Sequence, residues 1–523
     1  MVTFSDGYYH PANEDEVREL ILLAHEKKLK IRVRGSGHSV AGAIYTTNFK
    51  RGENDTGGID LMLDKMLAVK INKPKKQVTV EAGCHLGRDP YDPSGTSNWI
   101  NSLFYQINQA GLAVPDMGGI IHQAVGGFVS TGSAGGSIQH AFDDQIIAFR
   151  MVDGTGKVHE FTRDSGSDEF YAAGVSMGLF GIITSVTFQL VDKFDIIGEQ
   201  STLPINDCGI DLFGHGTPNK PDIEKFFRDT EYARLMWWPQ QGVEKMVVWK
   251  ASQMKPNEYT PYNPVTHTGT GTLNDFHPKP YLEFPKFHGT QDPAEAAGGL
   301  FYAIAGNWSM VLKKYKLSWI LKLFMRFVGW LYPKHILPFV INVFNPLDSE
   351  SDPPGPQKFW DTWWDGLPMD NKVDDKLVPV DFTEIWIPLD KSREVMTTLR
   401  DFYKQNGYKA TGSFSCEIYS AKKSDFWMSP SYDRDVIRVD IFWFGYNAGN
   451  PAEIYYPQFW NLLMKNTNFS CRFHWGKYMP VAPEYLKAQY PKWNAFMALR
   501  EKMDPHQIFV TAYWRQRLGI PAK

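Results

Sequence analysis

Arg34-Gly35-Ser36-Gly37-His38-Ser39 closes a short strand, Lys30-Ile-Arg-Val-Arg, with two glycines one residue apart. Closely spaced glycines let successive backbone N–H groups turn into one concave nest, and such a nest binds phosphate oxygens. A second run, residues 117–137, reads MGGIIHQAVGGFVSTGSAGGS and holds seven glycines in twenty-one residues. It is a poor core element and suits backbone that closely approaches a ligand. Its candidate contacts are Gly118, Gly119, Gly126, Gly127, Ser130, Thr131, Ser133 and Gly135, joined by Ile183 from a later strand. Two such loops, about ninety residues apart, suit an extended dinucleotide with its pyrophosphate between them. Neither loop has the G-x-G-x-x-G context of a Rossmann unit or a Walker GK[ST].

Regular elements must hold these loops. Asn13 is a helix cap with Glu16 three residues on, and Val17, Leu20, Ile21 and Ala24 follow at helical spacing. Gln77–Gly83 alternates and stops at glycine, as a half-buried strand does. The pattern predicts a helix over 99–110, strands over 145–153 and 181–190, and a hairpin turn at Asp153-Gly-Thr-Gly. Residues 203–300 are rich in Pro, Asn, Asp and Gly and read as long irregular stretches. Strands return in DFTEIWIPL, SFSCEIY and VIRVDIFWF, with a helix over 392–406 between the first two and another over 490–502 near the end.

Composition excludes several classes. The chain has 523 residues, 43% hydrophobic and 22% charged, which is ordinary for a globular protein. Lys plus Arg total 55 against 58 for Asp plus Glu, a net charge of −3, so a globally basic nucleic-acid binder is excluded. Cys84, Cys208, Cys416 and Cys471 are far apart and form no C-x-x-C, so neither a zinc ribbon nor a disulfide scaffold is expected. No metal site is expected. The N-terminus lacks a secretory h-region, and no run of 18 apolar residues occurs. A cytoplasmic or peripheral-membrane location is the expectation.

The ordered motifs RVRGSGHS, VTVEAGCHLG, GGFVSTGSAGGS and GLFGIITSVTFQL resemble the PCMH-type FAD-binding domain of the vanillyl-alcohol-oxidase superfamily. The tail, with His474-Trp-Gly-Lys477, Tyr490-Pro, Phe496 and Asp504-Pro-x-x-x-Phe509, is similar to the aldonolactone-oxidase and alditol-oxidase branch. So is Glu417-Ile-Tyr-x7-Trp-Met-Ser-Pro-x-Tyr-x-Arg-Asp435. The likeness covers residues 4–195 and 380–515 and is weak between them. It implies an α+β fold: a two-subdomain, non-Rossmann FAD-binding domain over 1–195, a cap domain with an antiparallel sheet and irregular insertions over 196–470, and a return to the FAD domain over 471–523.

The resemblance also assigns roles. His38 would bond covalently to the flavin of FAD. The chain carries no Cys between Gly118 and Ser137, so a second attachment is not expected, and Cys84 reads as a small buried residue. Flavin oxidises an alcohol carbon by accepting hydride at N5 while the hydroxyl proton leaves. Lys477 would stabilise negative charge near flavin N1, or else sit at the surface. His474 is a base or a packing residue. Glu417 matches the family's active-site glutamate, which pairs with an Arg two positions on; here that position is Tyr419. Asp440 stands where the family has a catalytic His or Asn. Tyr419 and Asp440 are thus candidate substrate contacts. A lost arginine removes a bidentate clamp for polar oxygens.

Residues 313–332, KKYKLSWILKLFMRFVGWLY, place Lys322 and Arg326 on one helix face and Trp319, Leu323, Phe324, Phe327 and Leu331 largely elsewhere. Such a helix either lies in a membrane interface or packs on the cap sheet. The leading expectation is oxidation of a CH–OH group in a sugar-1,4-lactone or alditol, with oxygen or another electron acceptor. The rivals are a flavoenzyme for a larger, less polar alcohol, membrane-delivered or of secondary metabolism, and a flavin-free interaction protein that kept the fold.

Overall fold

The computed structural model describes residues 2–47, 57–255, 276–277, 308–344, 356–370, 379–412 and 414–523. Most of the stretch 256–307 and parts of 345–378, where irregular insertions were expected, lie outside the described residues.

The N-terminal half carries two sheets. In the first, β1 (Thr3–Ser5), β2 (Tyr8–His10), β3 (Lys30–Val33) and β4 (Gly58–Leu61) run in the order β1-β2-β4-β3. β4 is parallel to both neighbours, which requires a crossover between β2 and β3. The helix Glu14–Lys27 supplies it. Asn13 Oδ1 accepts from Glu16 N–H at 2.9 Å, and Glu16 Oε2 accepts from Ala12 N–H at 2.8 Å, so the expected capping box closes one residue early. Val17, Leu20, Ile21 and Ala24 are buried beneath it.

The second sheet is antiparallel. It comprises β5 (Val69–Asn72), β6 (Gln77–Glu81), β8 (Ile146–Asp153), β9 (Val158–Thr162) and β10 (Gly181–Gln189), in the order β5-β6-β10-β8-β9. A small pair, β7 (Leu112–Ala113) and β11 (Val191–Asp192), lies apart from it. The glycine-rich run is not wholly loop. Val125–Ser130 forms a short helix, because Val125, Phe128 and Val129 provide an apolar side that is buried.

A nine-stranded sheet fills most of the remainder. Its strands are β12 (Asp195–Pro204), β13 (Tyr232–Trp238), β14 (Lys245–Met254), β15 (Phe276–His277), β16 (Gln357–Thr362), β17 (Val380–Pro388), β18 (Cys416–Ala421), β19 (Val436–Phe444) and β20 (Arg472–Phe473). The order is β15-β16-β12-β14-β13-β18-β19-β17-β20, antiparallel except at β15–β16. The sheet corrects the reading of 203–300 as irregular. YARLMWW of β13 is buried at all seven positions, and an apolar strand covered on both faces lacks the alternation that marks a half-buried one.

The C-terminal segment folds back on the first sheet. Ile31 N–H donates to Ile508 O at 3.0 Å, and Lys30 Nζ donates to Gln507 O at 2.6 Å. Trp514 Nε1 donates to Ala43 O at 3.2 Å, close behind the Arg34–Ser39 loop. The helices Trp308–Lys314, Trp319–Leu331 and Leu337–Phe344 are anchored by buried Leu312, Leu337 and Ile341, the last two packing on Trp238, Val243 and Phe444. Among the described residues, no helix is long and apolar enough to cross a membrane.

Candidate active site

A cavity of about 530 Å³ opens between the two small-residue loops and one face of the nine-stranded sheet. Arg34, Gly35, Ser36, Gly37, His38 and Ser39 line it, as do Gly118, Gly119, Gly126, Gly127, Ser130, Thr131, Ser133 and Ile183. The first loop is pinned at both ends: Arg34 N–H donates to Leu61 O at 2.9 Å and Val40 N–H to Gly476 O at 2.8 Å. Ser36 Oγ donates to His122 O at 2.6 Å and ties this loop to the second. Gly37 has φ +82°, a left-handed conformation that a side chain would strain. Gly135 is the exception among the expected contacts and does not face the cavity. Its carbonyl accepts from Arg438 Nη2 at 3.0 Å, and a Cβ there would collide with the buried Asp116 carboxyl. Its smallness serves packing.

The turn after β20 clasps both loops. Lys477 Nζ donates to His38 O at 2.8 Å and stands 4.1 Å from the centroid of Phe382. His474 Nδ1 accepts from Gly476 N–H at 3.0 Å. Its Nε2 therefore carries the proton and donates to Ser133 Oγ at 3.1 Å. Burial, with the Lys477 and Arg438 charges, pushes the His474 pKa down to about 4. Burial, then Lys477, pushes that of His38 down to about 3. Both imidazoles are neutral at pH 7. Cys84 is buried, with its thiol pushed up to about 12 by burial.

The sheet presents its side chains in rows, because residues two apart share a face and antiparallel partners stand opposite. Met236, Glu417, Asp440 and Glu384 face one another across β13, β18, β19 and β17. The next row is Arg234, Tyr419, Arg438 and Trp386. On the other side lie Phe442 and Phe382, with Phe414 stacked on Phe442 at 4.7 Å. A carboxylate row thus runs between a cationic row and an aromatic one.

The cationic row repairs what the sequence comparison counted as lost. No arginine stands at 419, but arginines stand opposite it on both neighbouring strands. The Arg438 guanidinium lies 4.6 Å from the Tyr419 ring centroid and 3.4 Å from Glu384 Oε1. Arg234 Nη1 bonds Asp370 and lies 3.5 Å from Glu417 Oε1. Burial, then the Glu384 charge, drives the Asp440 pKa well above the carboxylate range. For Glu384 burial works the same way, but the Arg438 and Lys477 charges beside it hold the pKa below the usual value. The two directions set the pair apart, Asp440 toward the protonated form and Glu384 toward the ionised one. Asp440 lines the cavity, and its buried Oδ1 has no hydrogen-bond partner among the described residues.

All five expected catalytic positions, Glu417, Tyr419, Asp440, His474 and Lys477, meet at this cavity. Arg234, Asp370, Glu384 and Arg438 were not anticipated. Three of them left a trace: a charge inside the apolar strands YARLMWW, DFTEIWIPL and VIRVDIFWF. A charge buried in a strand needs a partner. Asp370 carried no such signal.

Fold and cavity together define a flavin-binding oxidoreductase with one face of its large sheet lining the cavity. Residues 5–88 and 97–162 match the FAD binding domain family, and residues 318–517 match the D-arabinono-1,4-lactone oxidase family. L-gulonolactone oxidase of Mus musculus is 24% identical over 510 residues, covering 97% of this chain and 93% of that protein. L-gulono-1,4-lactone dehydrogenase of Mycobacterium tuberculosis is 23% identical over 512 residues, covering 97% and 95%. A solved cholesterol oxidase from Brevibacterium sterolicum superposes with a TM-score of 0.65 at 15% identity, over 98% of this chain and 94% of that one, a likeness of fold. The chain belongs to the aldonolactone-oxidase branch of the FAD-dependent vanillyl-alcohol-oxidase superfamily. The flavin-free reading of the sequence is set aside.

The residues fit FAD. Two loops rich in glycine and serine border the space, and cationic Arg34 and Lys477 line it. The volume lies within the range of cofactor sites.

Proposed function

We propose that this protein oxidises a CH–OH group of a sugar-1,4-lactone to the carbonyl. The observation that carries this reading is the unpartnered, buried Asp440 oxygen beside Glu417, in a row flanked by Arg438. Such a surface matches a ligand with several hydroxyls, and a hydrophobic alcohol would leave these groups unpaired at about 1–3 kcal/mol each. Bound FAD supplies the hydride acceptor. Glu417 takes the hydroxyl proton, protonated Asp440 donates to a substrate oxygen, and Lys477 places positive charge where negative charge develops. His474, engaged on both nitrogens, holds the second loop and takes no proton. His38, neutral and on the first loop, is the point of covalent attachment. Anaerobic bleaching of the flavin tests the substrate class. Aldonolactones should bleach it faster than alditols or lipophilic alcohols, and no bleaching by any sugar derivative refutes this reading.

The same protein docks peripherally on an anionic bilayer through residues 308–344. Trp319, Phe324, Phe327 and Trp330 are 75%, 62%, 60% and 75% exposed. Lys313, Lys314, Lys316, Lys322, Arg326 and Lys334 accompany them, and 308–344 contains no Asp or Glu in a chain of net charge −3. Apolar contact plus attraction to anionic headgroups is how interfacial helices bind. Flotation with phosphatidylglycerol vesicles, and not with phosphatidylcholine alone, is the expected result. No flotation, or self-association through this face, contradicts it.

A further inference from the structure

Oxidation of a CH–OH group in a buried site leaves the hydroxyl proton on a protein base, which must hand it on before it can act again. Glu417 is 6% exposed and Tyr419 4%, so neither delivers it directly. Asp370 lines the same cavity and is its more open carboxylate, with a side chain 24% exposed. Tyr419 Oη lies 3.0 Å from Glu417 Oε1 and 2.6 Å from Asp370 Oδ2. We propose that Glu417, Tyr419 and Asp370 form a proton relay that carries the substrate's hydroxyl proton from the buried base to the more exposed carboxylate. The proposal rests on the oxidation of a CH–OH group given above.

The geometry has the polarity a relay needs. A phenol holds one proton and donates it to one acceptor at a time. The shorter contact places that proton toward Asp370 and turns an oxygen lone pair toward Glu417. As the substrate C–H bond breaks, its electron pair leaves with the hydrogen to the flavin. The O–H bond breaks too, and its proton passes to Glu417 while the carbon–oxygen double bond forms. Glu417 then gives a proton to Tyr419 Oη as the phenol's own proton moves to Asp370, and Asp370 releases it to water. Burial, with the Asp370 and Glu417 charges, keeps the Tyr419 pKa far above its usual value, so the two hops are concerted and no phenolate forms.

The surroundings hold the three oxygens in place. Arg234 pairs with Asp370 and reaches Glu417 at 3.5 Å, spanning both ends. Arg438 covers the Tyr419 ring, and Asp440 stands opposite Glu417 in register. Asp370 N–H donates to Gly119 O at 2.8 Å. A Cβ on Gly119 would lie 2.6 Å from Asp370 Oδ2 and 3.2 Å from Tyr419 Oη, so the close approach requires glycine.

Two readouts test the relay on the flavin-loaded protein. In steady-state turnover of the best bleaching lactone, Tyr419→Phe and Asp370→Asn should lower kcat about 100-fold with KM held, the scale of one proton-transfer catalyst, while a single anaerobic bleaching, which needs only an empty Glu417, keeps its rate. Asp370→Glu should restore much of the rate. In substrate-free protein, infrared spectra after a drop in pH follow the carboxyl stretch that Glu417→Gln removes. That band should appear much more slowly in Tyr419→Phe than in wild type. A kcat within twofold of wild type in both variants, or an unchanged infrared rate, overturns the relay. If no alcohol bleaches the flavin, the functional reading fails while the infrared rate still decides the relay. If Tyr419→Phe does not fold, Asp370→Asn at the more exposed end decides by the same two readouts.

Discussion

The two walls of the cavity are built in opposite ways. The loop wall is contiguous sequence: Arg34–Ser39 and the run after Gly118 place backbone against the cofactor space. The sheet wall is assembled from Met236, Glu384, Glu417, Arg438 and Asp440, residues from four strands that meet only through register. One wall presents main chain to the cavity and the other paired side chains. The difference shows that a nucleotide grip is local, whereas the substrate surface is a property of the whole sheet. A one-residue slip of any strand would turn its row away from the cavity.

The contrast breaks most visibly at His38. Acid-denatured wild-type protein should stay yellow, and His38→Ala should release all its flavin to the supernatant. Complete release from wild type contradicts the covalent bond. On the sheet wall the corresponding loss is stability. Arg438→Leu leaves Glu384 buried without its guanidinium, and urea unfolding should show a cost of roughly 3–5 kcal/mol. A cost under about 1 kcal/mol would mean the row is not a paired network.

The histidine that ties the turn after β20 to the second loop gives a pH dependence. The folded pKa of His474, about 4, lies below the unfolded value of 6.5. The unfolded chain therefore binds more protons below pH 6.5, so its contribution is full above that pH and falls as pH drops toward 4. Urea midpoints should decline over this window, and His474→Gln should make the decline shallower. The smallest effect lies outside both walls. Asn13→Ala removes a helix cap and should cost about 1 kcal/mol, with flavin content unchanged; lost flavin would couple that helix to the grip.

These walls also differ in how far the sequence discloses them. Glycine spacing exposed the loops because backbone access is written in residue type, although Gly135 shares the pattern and turns to Asp116 instead. The strands β17, β18 and β19 were legible as short runs of β-branched and aromatic residues, and the helix Ser392–Asn406 agrees with its pattern end to end. β13 was hidden because burial on both faces erases the period. Arginine seemed missing at 419 because single-strand reading sees i and i+2, not the cross-strand partners Arg234 and Arg438. Asp370 sits in a segment with no motif, and only the fold brings it to Tyr419.

The central claim is that one dinucleotide lies between the two loops with its ring under the carboxylate row. A crystal structure of the yellow protein tests it most directly. The account predicts a pyrophosphate bracketed by Ser36–Ser39 and Gly118–Ser133, and a ring between His38 and the Glu417–Asp440 pair. A flavin bound elsewhere, or a ring turned away from those carboxyls, would contradict it.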